Sequence, residues 1–353
     1  MGSPEILPAF RELKAYPTQQ GRGAFLRMDF NEGPSPDLEP LAKALTLCAF
    51  SATLYPEYGP LTRAAAQAWG VEPANLLPVN GADEGIALLL RAFTGPSDAV
   101  VLPVPTFPMY RIYAEQCSTP IIAVPLAADF TLDLQAIREA IPRGAILALV
   151  SPNNPTGRAI PKAQLLALLA AAEGRPVLVD ETYGPFCNQD FTPLLARFPN
   201  LILLRTLSKA HGLPGLRCGF ILAQPGVIAQ LEPLRPPFNL NGIAAQLGAQ
   251  MLSSDPGLRA RLRGAVQARA RLQARLEALG IATIPSDTHF FLVDLGTRAP
   301  AAVATLRAQR ILVKDLATTL PGFLRISVTC DQDTDLFLNA FLPWWEATAE
   351  AQP

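Results

Sequence analysis

Short apolar runs alternate with segments of helical periodicity between residues 60 and 235. The runs predict buried strands at Val100–Leu102, Ile121–Val124, Ile146–Val150, Val177–Asp180, Leu201–Arg205 and Gly219–Leu222. The segments between or before them predict helices at Ala64–Trp69, Gly85–Phe93, Leu134–Ala140 and Ala163–Ala172. Because helices that connect buried strands cover both faces of a sheet, the alternation predicts an α/β domain with a largely parallel sheet.

The proline-rich segment Pro233–Pro237 interrupts this alternation. Beyond it, Pro256–Leu279 predicts a long helix whose arginines oppose an apolar stripe, a pattern more typical of a solvated face than of a nucleic-acid surface. A second, smaller α+β unit is predicted from strands at Phe290–Asp294, Ile311–Lys314 and Phe323–Val328 and a helix at Ala301–Ala308. We therefore predict a large domain over residues 40–235 and a second unit built from residues 1–39 and 236–353.

Charge and composition exclude several classes of partner. The formal net charge of −1 gives no electrostatic basis for binding nucleic acid or an anionic membrane. The most apolar stretches, Ala145–Val150 and Leu165–Ala172, are far shorter than the roughly 20 residues that span a bilayer. Met1–Phe10 lacks the basic and apolar regions of a signal peptide. We predict a cytoplasmic protein that does not insert into membranes.

Cysteine and histidine are sparse in this chain. The five cysteines are scattered with no CxxC pair, which is typical of reduced thiols in the cytosol. The two histidines, His211 and His289, are too few for a multi-histidine metal site or for the usual Ser-His-Asp chemistry. No metal site is predicted.

A lysine with unusual neighbours follows the predicted strand Leu201–Arg205. Thr206 and Ser208 precede Lys209, a glycine-rich bend follows it, and Arg217 comes after the bend. Most lysines are solvated surface groups, but hydroxyls and a guanidinium are groups that bind a phosphate dianion. A lysine beside a phosphate can form an imine with an aldehyde cofactor when burial and nearby cations lower its pKa. The segment therefore predicts a phosphate site with a reactive amine.

A carboxylate, Asp180, ends the predicted strand Val177–Asp180. A carboxylate at the end of an apolar strand needs a cationic partner or hydrogen-bond donors. One interpretation is a helix N-cap. The other is a partner for a protonated pyridine nitrogen, which would make the ring an electron sink.

Two further segments are weaker signals on their own. Ser151–Gly157 follows a strand and alone predicts only a tight turn. The sequence Asn80-Gly-Ala-Asp-Glu precedes a helical pattern, where free backbone N–H groups can bind phosphate, although it is also common in plain helix caps. The prediction of function therefore depends on the order of these segments and on their placement at strand ends.

In that order and placement, the chain resembles the fold-type I pyridoxal-phosphate aminotransferases, and within them the histidinol-phosphate aminotransferase branch. The resemblance covers nearly the whole chain and is carried by Phe30–Pro34, Leu54–Glu57, Gly81–Glu84, Pro105–Tyr110, Ser151–Gly157, Asp180–Tyr183, Arg205–Arg217 and Leu324–Ser327. It implies a three-layer α/β large domain with a mostly parallel sheet, a smaller α+β domain, and a homodimer with shared active sites.

The resemblance also implies roles around pyridoxal 5′-phosphate. Lys209 would form the Schiff base and carry a proton between the substrate Cα and the cofactor, and Asp180 would pair with the pyridinium nitrogen. Tyr183 and Asn154 would hydrogen-bond the 3′ oxygen of the ring, and Tyr110 would stack on its face.

The remaining implied roles concern phosphate and substrate. The cofactor phosphate would be held by the backbone amides of Ala82 and Asp83, by Thr206, Ser208 and Arg217, and by Tyr55 from the neighbouring subunit. Arg325 would bind a carboxylate or phosphate of the substrate by a two-pronged contact. Tyr16 and Asn31 would line the substrate pocket.

Three positions depart from the pattern of this family. The usual Asn-Glu-Asn-Pro followed by an aromatic residue is Asn31-Glu-Gly-Pro-Ser here. His211 stands where Tyr or Phe is usual, and His289 where Asn is usual. The departures leave the cofactor chemistry intact and leave the substrate open. We interpret both histidines as structural residues and not as acid–base catalysts.

The implied reaction is transamination from an amine or amino-acid donor, with histidinol phosphate the leading candidate, to a 2-oxo acid such as 2-oxoglutarate. A decarboxylase of a phospho-amino acid of the threonine phosphate type shares the fold and much of the motif set. An aromatic or other amino-acid transaminase and an oxygen-using enzyme on the same scaffold are further alternatives. A binding or regulatory protein on an inactive aminotransferase fold is disfavoured, because Lys209, Asp180, Tyr183 and Arg217 are all present.

Overall fold

The computed structural model describes residues 10–11, 13 and 20–349. Its strands are β1 (Leu26–Met28), β2 (Leu76–Val79), β3 (Val100–Val104), β4 (Ile121–Pro125), β5 (Ile146–Val150), β6 (Val177–Asp180), β7 (Leu201–Thr206), β8 (Gly219–Leu222), β9 (Ala282–Thr283), β10 (Phe290–Asp294), β11 (Ile311–Asp315) and β12 (Phe323–Ser327). Its α-helices are α1 (Leu38–Cys48), α2 (Gly59–Trp69), α3 (Gly81–Phe93), α4 (Met109–Gln116), α5 (Leu134–Ala140), α6 (Lys162–Ala171), α7 (Pro225–Leu231), α8 (Gly242–Ser253), α9 (Leu258–Glu277), α10 (Ala299–Ala308) and α11 (Asp331–Ala349).

The larger sheet has the strand order β2-β8-β7-β6-β5-β3-β4. Strand β8 is antiparallel to both of its neighbours, whereas the β7-β6, β6-β5, β5-β3 and β3-β4 pairs are parallel. Every residue of β5 and β6 is buried, because helices cover both faces of the sheet. The side chains of β6 alternate between two cores, with Val177 and Val179 in one and Leu178 in the other. The predicted three-layer α/β architecture is confirmed.

The second sheet has the order β1-β11-β12-β10-β9. Strand β1 is parallel to β11, and the other pairs are antiparallel. A separate core joins the sheet to the helices that cover it, with Leu272 of α9 and Phe337 of α11 packed around Phe291 and Ile326. The smaller α+β unit is thus present, and its edge strand comes from the N-terminal part of the chain.

The predicted domain boundary at residue 235 is wrong. Helix α8 begins after it, yet Ala244 and Ala245 of α8 share the core of the larger sheet with Leu61 and Ala65 of α2. The proline-rich segment 233–237 is therefore a surface connection within the large domain. The larger unit continues to the end of α8, and α9 begins the packing of the second core.

Of the helices in the described ranges, none combines the length and the apolarity that crossing a membrane requires.

Candidate active site

A cavity of about 300 Å³ lies at the carboxyl ends of the central parallel strands. Val150, Asp180 and Thr206 are the last residues of β5, β6 and β7, and all three line the cavity. Parallel strands end at the same edge of a sheet, which is where α/β proteins of this kind bind ligands. The second sheet closes the other side through Lys314 of β11 and Arg325 of β12.

Lys209 lies just beyond β7 and points into this cavity. Its Nζ donates a hydrogen bond to the carbonyl oxygen of Phe30 at 2.7 Å. Burial, together with the positive charge of Arg325, lowers the pKa of Lys209 to about 8. About a tenth of the amine is then uncharged at pH 7, so it can act as a nucleophile or a base.

Asp180 presents a buried carboxylate to the same cavity, with 3% of the residue exposed. It accepts hydrogen bonds from the hydroxyl of Tyr110 at 3.2 Å and from the backbone N–H of Thr182 at 2.9 Å. Burial raises the pKa of Asp180, and these hydrogen bonds oppose the rise. The following 3-10 helix has Tyr183 as its N-cap, so the N-cap interpretation of Asp180 does not hold. A buried carboxylate of this kind suits a cationic ligand.

Tyr110 does not line the cavity, and the prediction that it stacks on a cofactor ring is wrong. Helix α4 begins at Met109, so Tyr110 turns into the core, where it is wholly buried behind Asp180. The aromatic side chain of this segment that does line the cavity is Phe107, which precedes the helix. Phe107 was present in the motif Pro105–Tyr110, but the sequence did not distinguish it from Tyr110.

Five of the six predicted phosphate-binding residues line the cavity. Ala82 and Asp83 lie in the first turn of α3, and Thr206, Ser208 and Arg217 face them. The hydroxyls of Thr206 and Ser208 are 2.9 Å apart, and Nη2 of Arg217 donates to Oδ2 of Asp83 at 2.9 Å.

Glycine at position 81 makes this close approach possible. A Cβ at Gly81 would lie 2.5 Å from Nη2 of Arg217, and the residue has a φ of +73°, which favours glycine. The N-terminus of α3 therefore has both free N–H groups and a guanidinium beside it, as an anion site requires.

A second group of cations lies on the wall that the smaller sheet provides. Arg325 donates hydrogen bonds to Oδ1 of Asn154 and to the carbonyl oxygen of Asp29. Lys314 is its cross-strand partner and lines the same cavity. Burial and the charge of Arg325 lower the pKa of Lys314. Lys314 was not among the predicted site residues, although its place near the end of the apolar strand β11 was a usable signal.

The remaining predicted residues, for substrate and for cofactor, lie in different places. Asn31 is wholly buried and does not line the cavity, so that prediction is wrong; instead its Nδ2 donates to the hydroxyl of Tyr183 at 3.1 Å. Tyr183 and Asn154 do line the cavity. Tyr55 is 78% exposed on an outer face, where its ring stacks on Phe238 at 4.4 Å. Tyr16 lies outside the described residues.

Neither histidine lines the cavity. His289 is wholly buried and stacks on Phe186 with ring centroids 4.3 Å apart. Burial and the charges of Lys209 and Arg325 lower the pKa of His289 to about 3, which keeps the imidazole neutral. His211 has its Nδ1 3.6 Å from Oδ2 of Asp255. These positions favour structural roles.

Comparison with known proteins identifies relatives across almost the whole chain. A family model described as aminotransferase class I and II matches residues 42–341. A histidinol-phosphate aminotransferase of Thermococcus gammatolerans is 34% identical over 321 residues, which cover 89% of this chain and 90% of the relative. The solved structure of histidinol-phosphate aminotransferase from Sinorhizobium meliloti in complex with pyridoxal-5′-phosphate has a TM-score of 0.87 and 26% identity, and covers 96% of this chain and 97% of that one.

A decarboxylase has the same fold. The structure of L-threonine-O-3-phosphate decarboxylase from Porphyromonas gingivalis matches with a TM-score of 0.81 at 23% identity, over 91% of this chain and 99% of that one. At this identity the match shows the fold alone. Fold similarity therefore does not separate amino transfer from decarboxylation, and the distinction has to come from the site.

Proposed function

The chain belongs to the class I and II aminotransferase family, and we propose that it transfers the amino group of histidinol phosphate to a 2-oxo acid such as 2-oxoglutarate. It is a pyridoxal-phosphate-dependent aminotransferase. Bound pyridoxal phosphate supplies an aldehyde carbon that combines with amines and a ring that takes up negative charge. One observation supports a phosphate-bearing donor: Arg325 and Lys314 lie together in a cavity that also contains Lys209 and Asp180. Histidinol phosphate is proposed among such donors because the chain is similar to histidinol-phosphate aminotransferases.

The residues fit this cofactor at three places. The buried carboxylate of Asp180 would hold the protonated ring nitrogen and gain the cationic partner that its surroundings favour. The first turn of α3 with Thr206, Ser208 and Arg217 would hold the phosphate. Phe107, which also lines the cavity, would contact the face of the ring.

Lys209 would move the proton in the reaction. Its amine, with a pKa lowered to about 8, would accept the proton from the substrate Cα near neutral pH and deliver it to the aldehyde carbon of the cofactor. Asn154 and Tyr183 would hydrogen-bond the 3′ oxygen of the ring. Asn31 supports this role indirectly, because its contact fixes the hydroxyl of Tyr183.

Arg325 and Lys314 would bind the anionic group of the substrate. A phosphate monoester carries nearly two negative charges at neutral pH, and a guanidinium beside an amine complements that charge better than either alone. Phe30 and Leu316 provide an apolar surface next to these cations, suited to an aromatic ring. A 2-oxo acid would place a carboxylate on Arg325 in the second half of the reaction.

Glutamate formation tests this proposal directly. Purified enzyme would be given histidinol phosphate and 2-oxoglutarate, and glutamate would be measured alongside released carbon dioxide. We expect one glutamate per donor consumed, with kcat/KM about 100-fold higher for histidinol phosphate than for histidinol, since the phosphate contacts would be lost. Carbon dioxide release from threonine phosphate, or better turnover of an aromatic amino acid, would overturn the assignment of the donor.

Lys314→Met provides a test of the phosphate contact. The substitution keeps the length of the side chain and removes its charge, so we expect kcat/KM for histidinol phosphate to fall roughly 10- to 100-fold, as loss of a charged hydrogen bond predicts. The value for histidinol should change less than about threefold. The exposed Lys162, replaced by Met, is the matched control. Equal losses for both donors would exclude a contact between Lys314 and phosphate.

An exposed apolar face supports a homodimer. The side chains on it include Leu47 at 65% exposed, Phe50 at 71%, Leu54 at 59% and Phe238 at 52%, together with Tyr55. Contiguous apolar surface of this kind marks a protein interface. A second copy covering this face would bring Tyr55 towards a neighbouring active site, as its proposed contact with the cofactor phosphate requires.

Phe50→Glu is expected to convert the dimer into a monomer. A charge in an apolar interface is costly to bury, so the mass measured by light scattering should fall by half, and the Kd for the cofactor should rise about tenfold as the shared contact is lost. Leu336→Glu is the control, because Leu336 is 45% exposed on α11, a helix that packs on the core of the smaller sheet. A Phe50→Glu dimer with unchanged cofactor affinity would contradict the proposed interface.

The cysteines support a cytoplasmic location for this enzyme. All five are free thiols, and Cys48 and Cys218 are buried. Burial raises the pKa of Cys187 to about 11 and that of Cys218 to about 12, so these thiols stay protonated. A reducing compartment is where free thiols persist.

A further inference from the structure

A segment without helix or strand lies across the active site. Residues 29–34, here called the strap, follow β1 and precede α1. The strap is tightly seated, because a Cβ on Gly33 would lie 1.7 Å from the carbonyl oxygen of Lys209. A Cβ on Gly212 would likewise lie 2.3 Å from the carbonyl oxygen of Pro34. Glycine at both positions lets the two backbones touch.

The strap contacts three groups of the proposed catalytic machinery. The carbonyl oxygen of Phe30 accepts the hydrogen bond from Nζ of Lys209 at 2.7 Å. The carbonyl oxygen of Asp29 accepts from Arg325, and Asn31 donates to the hydroxyl of Tyr183. The position of this one short segment therefore affects the amine of Lys209, the hydroxyl of Tyr183 and the guanidinium of Arg325 together.

Arg22, which does not line the cavity, holds the strap through its side chain. Its guanidinium donates to both carboxylate oxygens of Asp29 and reaches both carboxylate oxygens of Glu32 at 3.3 Å. It also lies 4.2 Å from the ring centroid of Phe30. The Arg22 side chain is only 12% exposed and that of Asp29 1%, so solvent screens this contact weakly.

We propose that Arg22 is a positioning residue for transamination, which acts by fixing the strap so that the Phe30 carbonyl meets the amine of Lys209. The planar fork of an arginine suits this task, since it engages two carboxylates and a ring face at once. The inference rests on the proposed role of Lys209 and adds a residue that does not line the cavity. In the reaction, Arg22 would keep the carbonyl oxygen of Phe30 in place. That oxygen would accept a hydrogen bond from Lys209 whenever the amine of Lys209 is free.

The experiment uses the full-length protein without cofactor, so it does not depend on the identity of the donor. Hydrogen exchange measures how readily the backbone amides of the strap open to solvent. The pH dependence of acetylation by acetic anhydride, read by mass spectrometry, gives the pKa of Lys209. Arg22→Met is compared with Arg27→Met. Arg27 also pairs with Glu32, at 3.4 Å, but its side chain is 49% exposed and makes no ion pair with Asp29 in the described residues.

Arg22→Met is expected to increase exchange in the strap at least tenfold. It should also raise the pKa of Lys209 by about one unit, because burial is the main cause of the low value and a loosened strap admits water. Arg27→Met should change neither. Since Arg22→Met leaves the buried Asp29 without its cation and could fail to fold, the double variant Arg22→Met/Asp29→Asn removes both charges.

The outcomes are decisive in both directions. A looser strap and a shifted pKa of Lys209 in the Arg22 variants alone would support the positioning role. Wild-type exchange and wild-type titration of Lys209 in the folded single or double variant would overturn it. Equal changes in Arg27→Met would also overturn it. They would mean that neutralising Glu32 is enough to fix the strap, and that the contact between Arg22 and Asp29 is not required. Failure of the histidinol phosphate assay leaves these readouts unaffected, so the two proposals fail separately.

Discussion

Lys209→Ala should abolish amino transfer, with turnover reduced roughly 10⁴-fold or more. The reason is twofold. The variant lacks the amine that would attach the cofactor to the protein, and it lacks the base that would remove the Cα proton. No other lysine can substitute, since the only other lysine along the cavity, Lys314, lies with Arg325 on the small-sheet wall in the described residues.

The measurement combines turnover with borohydride reduction. In the unmodified enzyme, reduction should fix the cofactor to a peptide containing Lys209, and in Lys209→Ala no peptide should be labelled. Cofactor should still bind, because the first turn of α3 and Arg217 remain. Lys162→Ala, at an exposed position, should behave like the unmodified enzyme. Turnover of Lys209→Ala within tenfold of normal would contradict the central assignment.

Most strands of the larger sheet were predictable because nearly all of their residues are buried and apolar. Strands β5, β6 and β8 begin and end where the apolar runs do, because helices cover both faces of the sheet and every residue of these three strands is buried. The missed elements have other origins. Strand β2 contains Pro78 at the sheet edge, and helix α11 carries Pro343 in its interior, so both contradict the usual local preferences.

The cofactor end of the site was predictable for a similar reason. Asp180 and Thr206 end buried strands and Lys209 lies just beyond one, and the sheet topology alone brings such positions together. At the substrate end only Arg325 was predicted, whereas Lys314 and Phe30 were not, because Phe30 comes from a chain segment far in sequence from the strands that carry Lys314 and Arg325. Their approach depends on how the second sheet packs against the first, which periodicity does not encode.

Tyr110 illustrates the limit of motif reasoning at the level of single residues. The segment Pro105–Tyr110 does supply an aromatic ring to the cavity, but from Phe107. The direction of each side chain depends on where α4 begins, and a shift of one residue along a helix rotates a side chain by about 100°. A motif can therefore locate a site while misassigning its members.

Asp180→Asn is expected to reduce kcat roughly 10²- to 10³-fold while the cofactor still binds. The substitution keeps the shape and one acceptor oxygen, but removes the charge that would pair with the ring cation. Breaking such a buried pair costs about 3–5 kcal/mol, and each 1.4 kcal/mol is a factor of ten in rate. Asp98→Asn, at an exposed position, is the control and should leave kcat unchanged.

The stability of the cofactor-free protein provides a second test of Asp180→Asn. Here the substitution is expected to increase the measured quantity, whereas it decreases kcat. Burial raises the pKa of Asp180, so the ionised group opposes folding in the protein without cofactor. The sign follows from linkage: a carboxyl group whose pKa is raised on folding costs stability once the pH exceeds its unfolded value, near 4. At pH 7, Asp180→Asn should therefore raise the melting temperature of the cofactor-free protein, as removal of a strained functional group does.

The two effects together separate a functional carboxylate from a structural one. If Asp180 served the fold, Asp180→Asn would lower the melting temperature of the cofactor-free protein and would reduce activity only through unfolding. If it serves the ring nitrogen, the same variant becomes more stable when empty, gains less stability from added cofactor, and loses turnover. Thermal melts with and without pyridoxal phosphate distinguish these outcomes, because binding stabilises the folded state in proportion to affinity.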